Sequence, residues 1–282
     1  MSDLAGRRVV ITGAARGIGA LTARRLHERG ARVALLGIEP ELLAETAAAC
    51  GDAPWFECDV ADREQVERAV AGAAEALGGV DVAMANAGVA AQLPLVGGKP
   101  EVFEQHMAVN VLGTYYFVNA IGPHVAHPRG YVLVTASLAA AVHGPLIGAY
   151  AASKAAVEAL GNSLRIELGP TGAKVGVAYY AELTTDMTAR GFATKAARLM
   201  PLGGHGHLPV WPVEKAIGAI ERGIRRRSRR IVYPPFGHLI LHARTLVEPV
   251  IARQVRRNLV EALEIARSED APLTTPQPPR DA

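Results

Sequence analysis

Short, continuous apolar runs alternate along the chain with longer stretches whose apolar positions recur every three to four residues. The runs are RRVVITG (7–13), ARVALLG (31–37), PWFECDV (54–60), VDVAMANAG (80–88), GYVLVTAS (130–137), AKVGVAY (173–179) and RRIVY (229–233). Each has the length and branched content of a strand. None alternates apolar with polar residues, as expected of strands covered on both faces. Residues 17–29, 40–50, 62–77, 100–126, 149–168 and 212–226 read as helices, with Pro40 at a favourable first-turn position. Alternating strand–helix units predict an α/β fold: a doubly wound parallel sheet of seven strands, helices on both faces, right-handed crossovers.

No interior linker divides residues 1–233, which read as one domain. Within it, 183–211 is irregular and contains MPLGGHGHLPVWP. Its apolar residues Leu199, Met200, Leu202, Leu208 and Trp211 suggest a lid over a hydrophobic substrate. Residues 234–270 read as a helical extension, amphipathic over 236–266, with Pro249 expected to break or kink it. Such a helix can pack on its own domain or on a sister subunit; a peripheral contact with an anionic membrane surface is the alternative. The Pro-rich stretch 271–282 is expected to be a disordered tail.

Composition narrows the function classes. The chain has 282 residues, 50% hydrophobic and 20% charged, enough for a sizeable core. The net charge is +3, and Arg225, Arg226, Arg227, Arg229 and Arg230 cluster locally. A nucleic-acid binder more often spreads its basic residues along a face with aromatics between them, so none is expected here. Cys50 and Cys58 lack metal-ligand spacing and read as buried thiols of a reducing compartment. His124 with His127, His205 with His207, and His238 with His242 have no converging carboxylate or thiol, so no metal is expected. The N-terminus shows no signal pattern, and no apolar run reaches membrane-spanning length; a cytoplasmic protein is expected.

Two local patterns carry chemistry. The first strand exits into TGAARGIG (12–19). Gly13 permits a tight turn, and Gly17 and Gly19 let the backbone approach a pyrophosphate at the next helix's N-terminus. Tyr150 and Lys154 lie four residues apart on a helix, hence on one face. A cation about 4 Å from a phenol, at an effective dielectric of about 20, could lower its pKa by up to about three units.

The order T-G-x-x-x-G-x-G, Asp59, Asn86-Ala87-Gly88, Asn110, Ser137, Tyr150 and Lys154 resembles the short-chain dehydrogenase/reductase family over about residues 7–233. The resemblance implies a Rossmann-like NAD(P)-dependent oxidoreductase that interconverts a secondary alcohol and a ketone. It implies that Asn110, Ser137, Tyr150 and Lys154 are catalytic: Ser137 fixing the substrate oxygen, Asn110 holding a water, and Lys154 reaching the nicotinamide ribose. Gly13, Arg16, Gly17, Ile18, Gly19, Ile38, Glu39, Asp59, Val60, Asn86, Ala87, Gly88, Leu183 and Thr185 would bind the cofactor, with Tyr150 and Lys154 beside it. Substrate is expected next to Ala139, His143 and Leu146. Helices 100–126 and 149–168 would pair subunits into a homodimer or homotetramer.

The chain departs from the family at Tyr180-Ala181, where Pro-Gly is usual. A large residue there could reshape the nicotinamide pocket, so a non-catalytic nucleotide-binding or regulatory protein on the same fold is the rival reading. Glu39 would repel a 2′-phosphate and Arg16 would attract one; the balance tips slightly to NAD over NADP.

Overall fold

The structure, a computed structural model, describes residues 4–185, 187–188, 194–200, 209–256, 258–269 and 273–274. Seven parallel strands form one sheet: β1 (Arg8–Thr12), β2 (Arg32–Gly37), β3 (Trp55–Glu57), β4 (Val82–Ala85), β5 (Tyr131–Thr135), β6 (Lys174–Tyr180) and β7 (Arg230–Tyr233). Their order is β3-β2-β1-β4-β5-β6-β7. The order reverses between β1 and β4, so the loops leaving those two strands diverge and open a crevice at the carboxyl edge.

Helices α1 (Gly17–Glu28), α2 (Pro40–Ala48) and α8 (Val213–Arg226) cover one face. There Val9, Ile11, Leu26, Leu35, Leu43, Ile217 and Ile220 form one buried layer. Helices α3 (Arg63–Leu77), α5 (Gly113–Val125) and α6 (Gly148–Leu168) cover the other. Val10, Leu36, Val66, Val70, Phe117, Ile121, Val134 and Val157 fill that second layer. Burial on both faces is why the strands read as unbroken apolar runs.

Helix ends follow local chemistry. The Asp62 carboxylate accepts from the Gln65 amide at 3.1 Å and caps α3, and Gly78 closes the helix with φ 71°. The stretch expected as one helix over 100–126 is interrupted. After α4 (Pro100–His106), residues Met107–Leu112 form a π turn before α5 begins. That widening lets Asn110 reach the chain leaving β4: its Nδ2 donates to Val89 O at 3.0 Å, and its Oδ1 accepts from Val89 N at 2.8 Å. β4 itself ends at Ala85, earlier than the apolar run suggests. The Asn86 side chain turns back to donate to the carbonyls of Thr12 and Gly13 at 3.2 and 3.3 Å.

The remaining helices are α7 (Lys195–Arg198), α9 (Gly237–His242), α10 (Arg244–Gln254) and α11 (Leu259–Ser268). The C-terminal stretch is helical, but its breaks differ from expectation. Helix α10 runs through Pro249 and ends at Gln254; the next helix starts after Asn258, which adopts φ 62°. Arg244 pairs with Glu158 at 3.0 Å, and Leu241 is buried, so the extension packs on its own domain. In the stretch expected to be disordered, Leu273 packs against the core and Thr274 is buried, so the expectation does not hold at these two residues. Leu202, Leu208, His205 and His207 lie outside the described residues. Among those described, no helix is long and apolar enough to cross a membrane.

Candidate active site

A cleft of about 470 Å³ opens at the carboxyl edge, beside the point where strand order reverses. One end is built by the turn after β1. Gly13 has φ 64°, and a Cβ there would stand 2.8 Å from Ala87 Cα. Gly17 has φ 56°, and nothing lies within 4 Å of the place a Cβ would take. The turn is therefore a cradle with open space above it at the N-terminus of α1, suited to a phosphate. Gly19 has another job: a Cβ on it would collide with the carbonyl of Gly13 and with Asn86 Nδ2. It brings the helix close to the turn and does not line the cleft.

Thr12 ties this turn to the next loop, its Oγ1 accepting from the amides of Asn86 and Ala87 at 3.0 and 3.1 Å. Arg16, Gly17, Ile18, Ile38, Glu39, Asp59, Val60, Asn86, Ala87 and Gly88 all line the same end of the cleft, as do Leu183 and Thr185 further along. Asp59 is held by its backbone and by Ala61 N, which donates to its Oδ1 at 2.9 Å. Arg16 and Glu39, expected to act in opposite senses, are paired at 2.8 Å. Cys58 also borders the cleft, but burial first, and the acidic neighbours Asp59 and Asp62 after it, push its thiol up to about 12. It stays protonated and unreactive at neutral pH.

Ser137, Tyr150 and Lys154 meet at the centre. Ser137 follows β5; its Oγ accepts from Ala139 N at 3.1 Å and lies 3.4 Å from the carbonyl of Tyr180. The Tyr150 phenol is hydrogen-bonded to Ser137. Lys154 is buried, donates to Thr135 O at 2.9 Å, and places its Nζ 5.7 Å from the centre of the Tyr150 ring. Burial pulls the Lys154 ammonium down to about 8. Burial pushes the Tyr150 phenol up, and the Ser137 hydrogen bond offsets this only in part. The expected lowering of the Tyr150 pKa by Lys154 is thus not met. Desolvation acts on both groups, and the lysine's proton is directed at a carbonyl.

Asn110 does not border the cleft. Its side chain is fully engaged with Val89 and with Ser153 Oγ at 2.9 Å, while its own carbonyl accepts from Thr114 Oγ1 at 2.7 Å. Gly88 stands between Asn110 and Lys154: a Cβ on it would lie 3.0 Å from Asn110 Oδ1 and 3.3 Å from Lys154 Nζ. Ala139 and Leu146 line the cleft, but His143 is exposed and does not, although Val142 and Gly144 do.

Sequence reasoning missed several participants. His106 is fully buried; its Nε2 accepts from Ala91 N at 3.0 Å, its Nδ1 lies 2.6 Å from Val102 O, and its ring stands edge-on to Tyr150 at 6.5 Å. Its position one turn before Asn110 was the available signal. Gln92, Phe236, Ile240, Gln254, Val255 and Thr274 also line the cleft, and no local pattern marked them. Tyr180 is buried and packs in the α1/α8 layer, the same layer as Leu183 and Tyr233. Its hydroxyl has no hydrogen-bond partner among the described residues, and burial raises its pKa. His238 and His242 do not converge on a metal: His242 Nδ1 lies against His238 O, and its Nε2 faces Arg230.

Known proteins resemble this chain in sequence and in fold. The profile of the family described as short chain dehydrogenase matches residues 7–196. The 2,5-dichloro-2,5-cyclohexadiene-1,4-diol dehydrogenase of Sphingobium indicum is 36% identical over 194 residues, covering 67% of this chain and 78% of that protein. A short chain dehydrogenase/reductase from Burkholderia phymatum, solved with NAD, superposes with TM-score 0.75 at 22% identity, covering 88% of this chain and 97% of that one. A short chain dehydrogenase from Burkholderia cenocepacia J2315, solved with NADP, does so with TM-score 0.75 at 24% identity, covering 89% and 98%. These two establish likeness of fold. With a profile match over more than half its length and a relative of this identity, the chain belongs to the short-chain dehydrogenase/reductase family of NAD(P)-dependent oxidoreductases.

Proposed function

We propose that the chain interconverts a secondary alcohol and a ketone on an apolar small molecule. The observation that carries this is the hydrogen-bonded Ser137–Tyr150 pair, with Lys154 beside it, in the same cleft as the glycine cradle. The residues present fit a dinucleotide. Gly13 and Gly17 leave room for its phosphates, Asp59 and Val60 border the adenine end, and Leu183 and Thr185 border the nicotinamide end. Bound NAD(P) supplies the hydride acceptor in oxidation and the hydride donor in reduction.

In oxidation, Ser137 Oγ holds the substrate hydroxyl and Tyr150, as phenolate, takes its proton. Lys154, with its Nζ 5.7 Å from the centre of the Tyr150 ring, stands ready to hold a ribose hydroxyl. Asn110 acts through Val89 and Ser153, fixing the loop on which Gly88 brings the chain against Lys154. In reduction the same phenol returns the proton to the forming alkoxide.

NAD is the preferred cofactor in this reading. Arg16 is neutralised by Glu39, and a carboxylate at that edge suits a ribose 2′-hydroxyl better than a 2′-phosphate. Exposed Leu112, Tyr115 and Ile166 on and beside helices α5 and α6 support pairing of subunits through those helices.

The test is a screen of secondary alcohols and ketones with both cofactors, with Tyr150→Phe as control. The expected result is turnover by the native chain, loss of about a hundredfold or more in the control, and a lower Michaelis constant for NAD than for NADP. Cofactor binding without turnover of any substrate would instead establish the rival, non-catalytic reading.

A further inference from the structure

The residues beyond β7 do more than decorate the domain. The Glu269 carboxylate accepts from the main-chain amides of Lys195 and Ala196, at 2.7 and 3.2 Å, and so fastens the start of α7. Beside this clamp, Met200, Val255 and Ala262 form a small core of their own, with Leu199 and Leu259 packed against it. Thr274 then comes back to the chain leaving β4. Its Oγ1 accepts from Ala90 N at 3.0 Å, and its N–H donates to Ala90 O at 3.0 Å. Met200, Gln254, Val255 and Thr274 thereby line the same cleft as Ser137 and Tyr150.

We infer that this C-terminal extension is the outer wall of the substrate space, and that it selects an apolar alcohol or ketone larger than a single ring or a short chain. The inference rests on the oxidoreductase reading for the fate of the ligand, but not for its binding. Three observations carry it. The wall has its own hydrophobic core, so it presents a fixed surface. That surface is mainly apolar: Met200 and Val255 contribute to it alongside Phe236 and Ile240. It is also made largely from residues after 196, where the match to the family profile ends. Only a ligand that extends from Ser137 to the wall gains from burying it, and such ligands are separated from small ones by apolar contact.

Trp211 lines the cleft, whereas Trp55, the other tryptophan, is exposed on β3. Full-length chain in a Trp55→Phe background is titrated with androsterone while Trp211 emission is followed, without cofactor. Saturable quenching is expected. Val255→Phe, which overfills the wall, should weaken binding about tenfold or more, and Glu269→Gln, which loses half the clamp, about fivefold. With NAD present, the ratio of kcat/KM for androsterone to that for isopropanol should fall by similar factors; a ratio cancels any change in the active fraction. No quenching in the native chain overturns the inference, and so does quenching with the same Kd in both variants. If no alcohol turns over with either cofactor, yet both variants weaken quenching, the wall stands and the oxidoreductase reading falls.

Discussion

Replacing Lys154 with methionine separates what this residue does for the reaction from what it does to the fold. Lys154 is 5% exposed, and its pKa is drawn from 10.5 to about 8 by loss of water. Holding it as an ammonium at pH 7 therefore costs about 3 kcal/mol relative to a solvated lysine. Methionine is unbranched, of similar length, and needs no proton. It also leaves the carbonyl of Thr135 without its donor, a loss of about 1–2 kcal/mol. The net expectation is a variant about 1–2 kcal/mol more stable than the native chain at pH 7. The sign with pH follows from proton binding. Between about pH 8 and 10.5 the unfolded lysine is protonated and the folded one is not, so native stability rises with pH through that window. The variant lacks this contribution, and its advantage should shrink as pH rises, vanish at about pH 9 and reverse above it. Urea unfolding of both proteins, followed by tryptophan emission from pH 7 to 10, reads the difference directly. Titrations of other groups are common to both chains and cancel. A variant less stable than the native chain at pH 7, by an amount independent of pH, would falsify the argument. Oxidoreductase turnover should be lost in either event.

Two further changes probe the frame around the site. Gly13→Ala must carry a side chain at φ 64° and push against Ala87 Cα 2.8 Å away; a loss of about 2–4 kcal/mol is expected in denaturant unfolding, and a loss under about 1 kcal/mol would mean the turn relaxes easily. His106 is buried, and its imidazole resists protonation chiefly through loss of water. The unfolded chain takes up that proton as pH falls below about 6.5, so native stability should decline there. His106→Phe should be about 1–3 kcal/mol weaker at pH 7, having lost the acceptor for Ala91 N, yet show a shallower decline toward pH 5. Parallel slopes in the two proteins would point to another group.

What could be read from the sequence, and what could not, divides by the range of the interactions involved. The strands other than the edge strand β3 were legible because both sheet faces are covered there, so each is apolar over most of its length and no register information is needed to see it. The glycine turn was legible because its geometry is set within eight residues, TGAARGIG, and the Tyr150–Lys154 pair because a helix fixes the spacing. The interruption of the helix at Met107–Leu112 was not, since the contact it permits joins Asn110 to Val89, twenty-one residues earlier. Gly19 and His143 show the same limit on a smaller scale. Both sit in recognisable segments, but which way each faces depends on the packing of a neighbouring turn. The electrostatics of Tyr150 were misjudged for a related reason. A charge at i+4 is local information, whereas the burial that outweighs it comes from the whole fold, and the direction of the lysine's proton comes from a carbonyl on β5. The outer wall is the extreme case. Val255 and Thr274 lie over a hundred residues after Tyr150, the first on a segment whose periodicity shows only that it is amphipathic, the second in a Pro-rich stretch. Nothing in that periodicity says they close over the cleft, because the contacts that bring them there, Glu269 to Lys195 and Thr274 to Ala90, join single residues rather than repeating faces. Catalytic chemistry in this chain is therefore encoded over short stretches, and the surroundings that tune and select it by contacts across its full length.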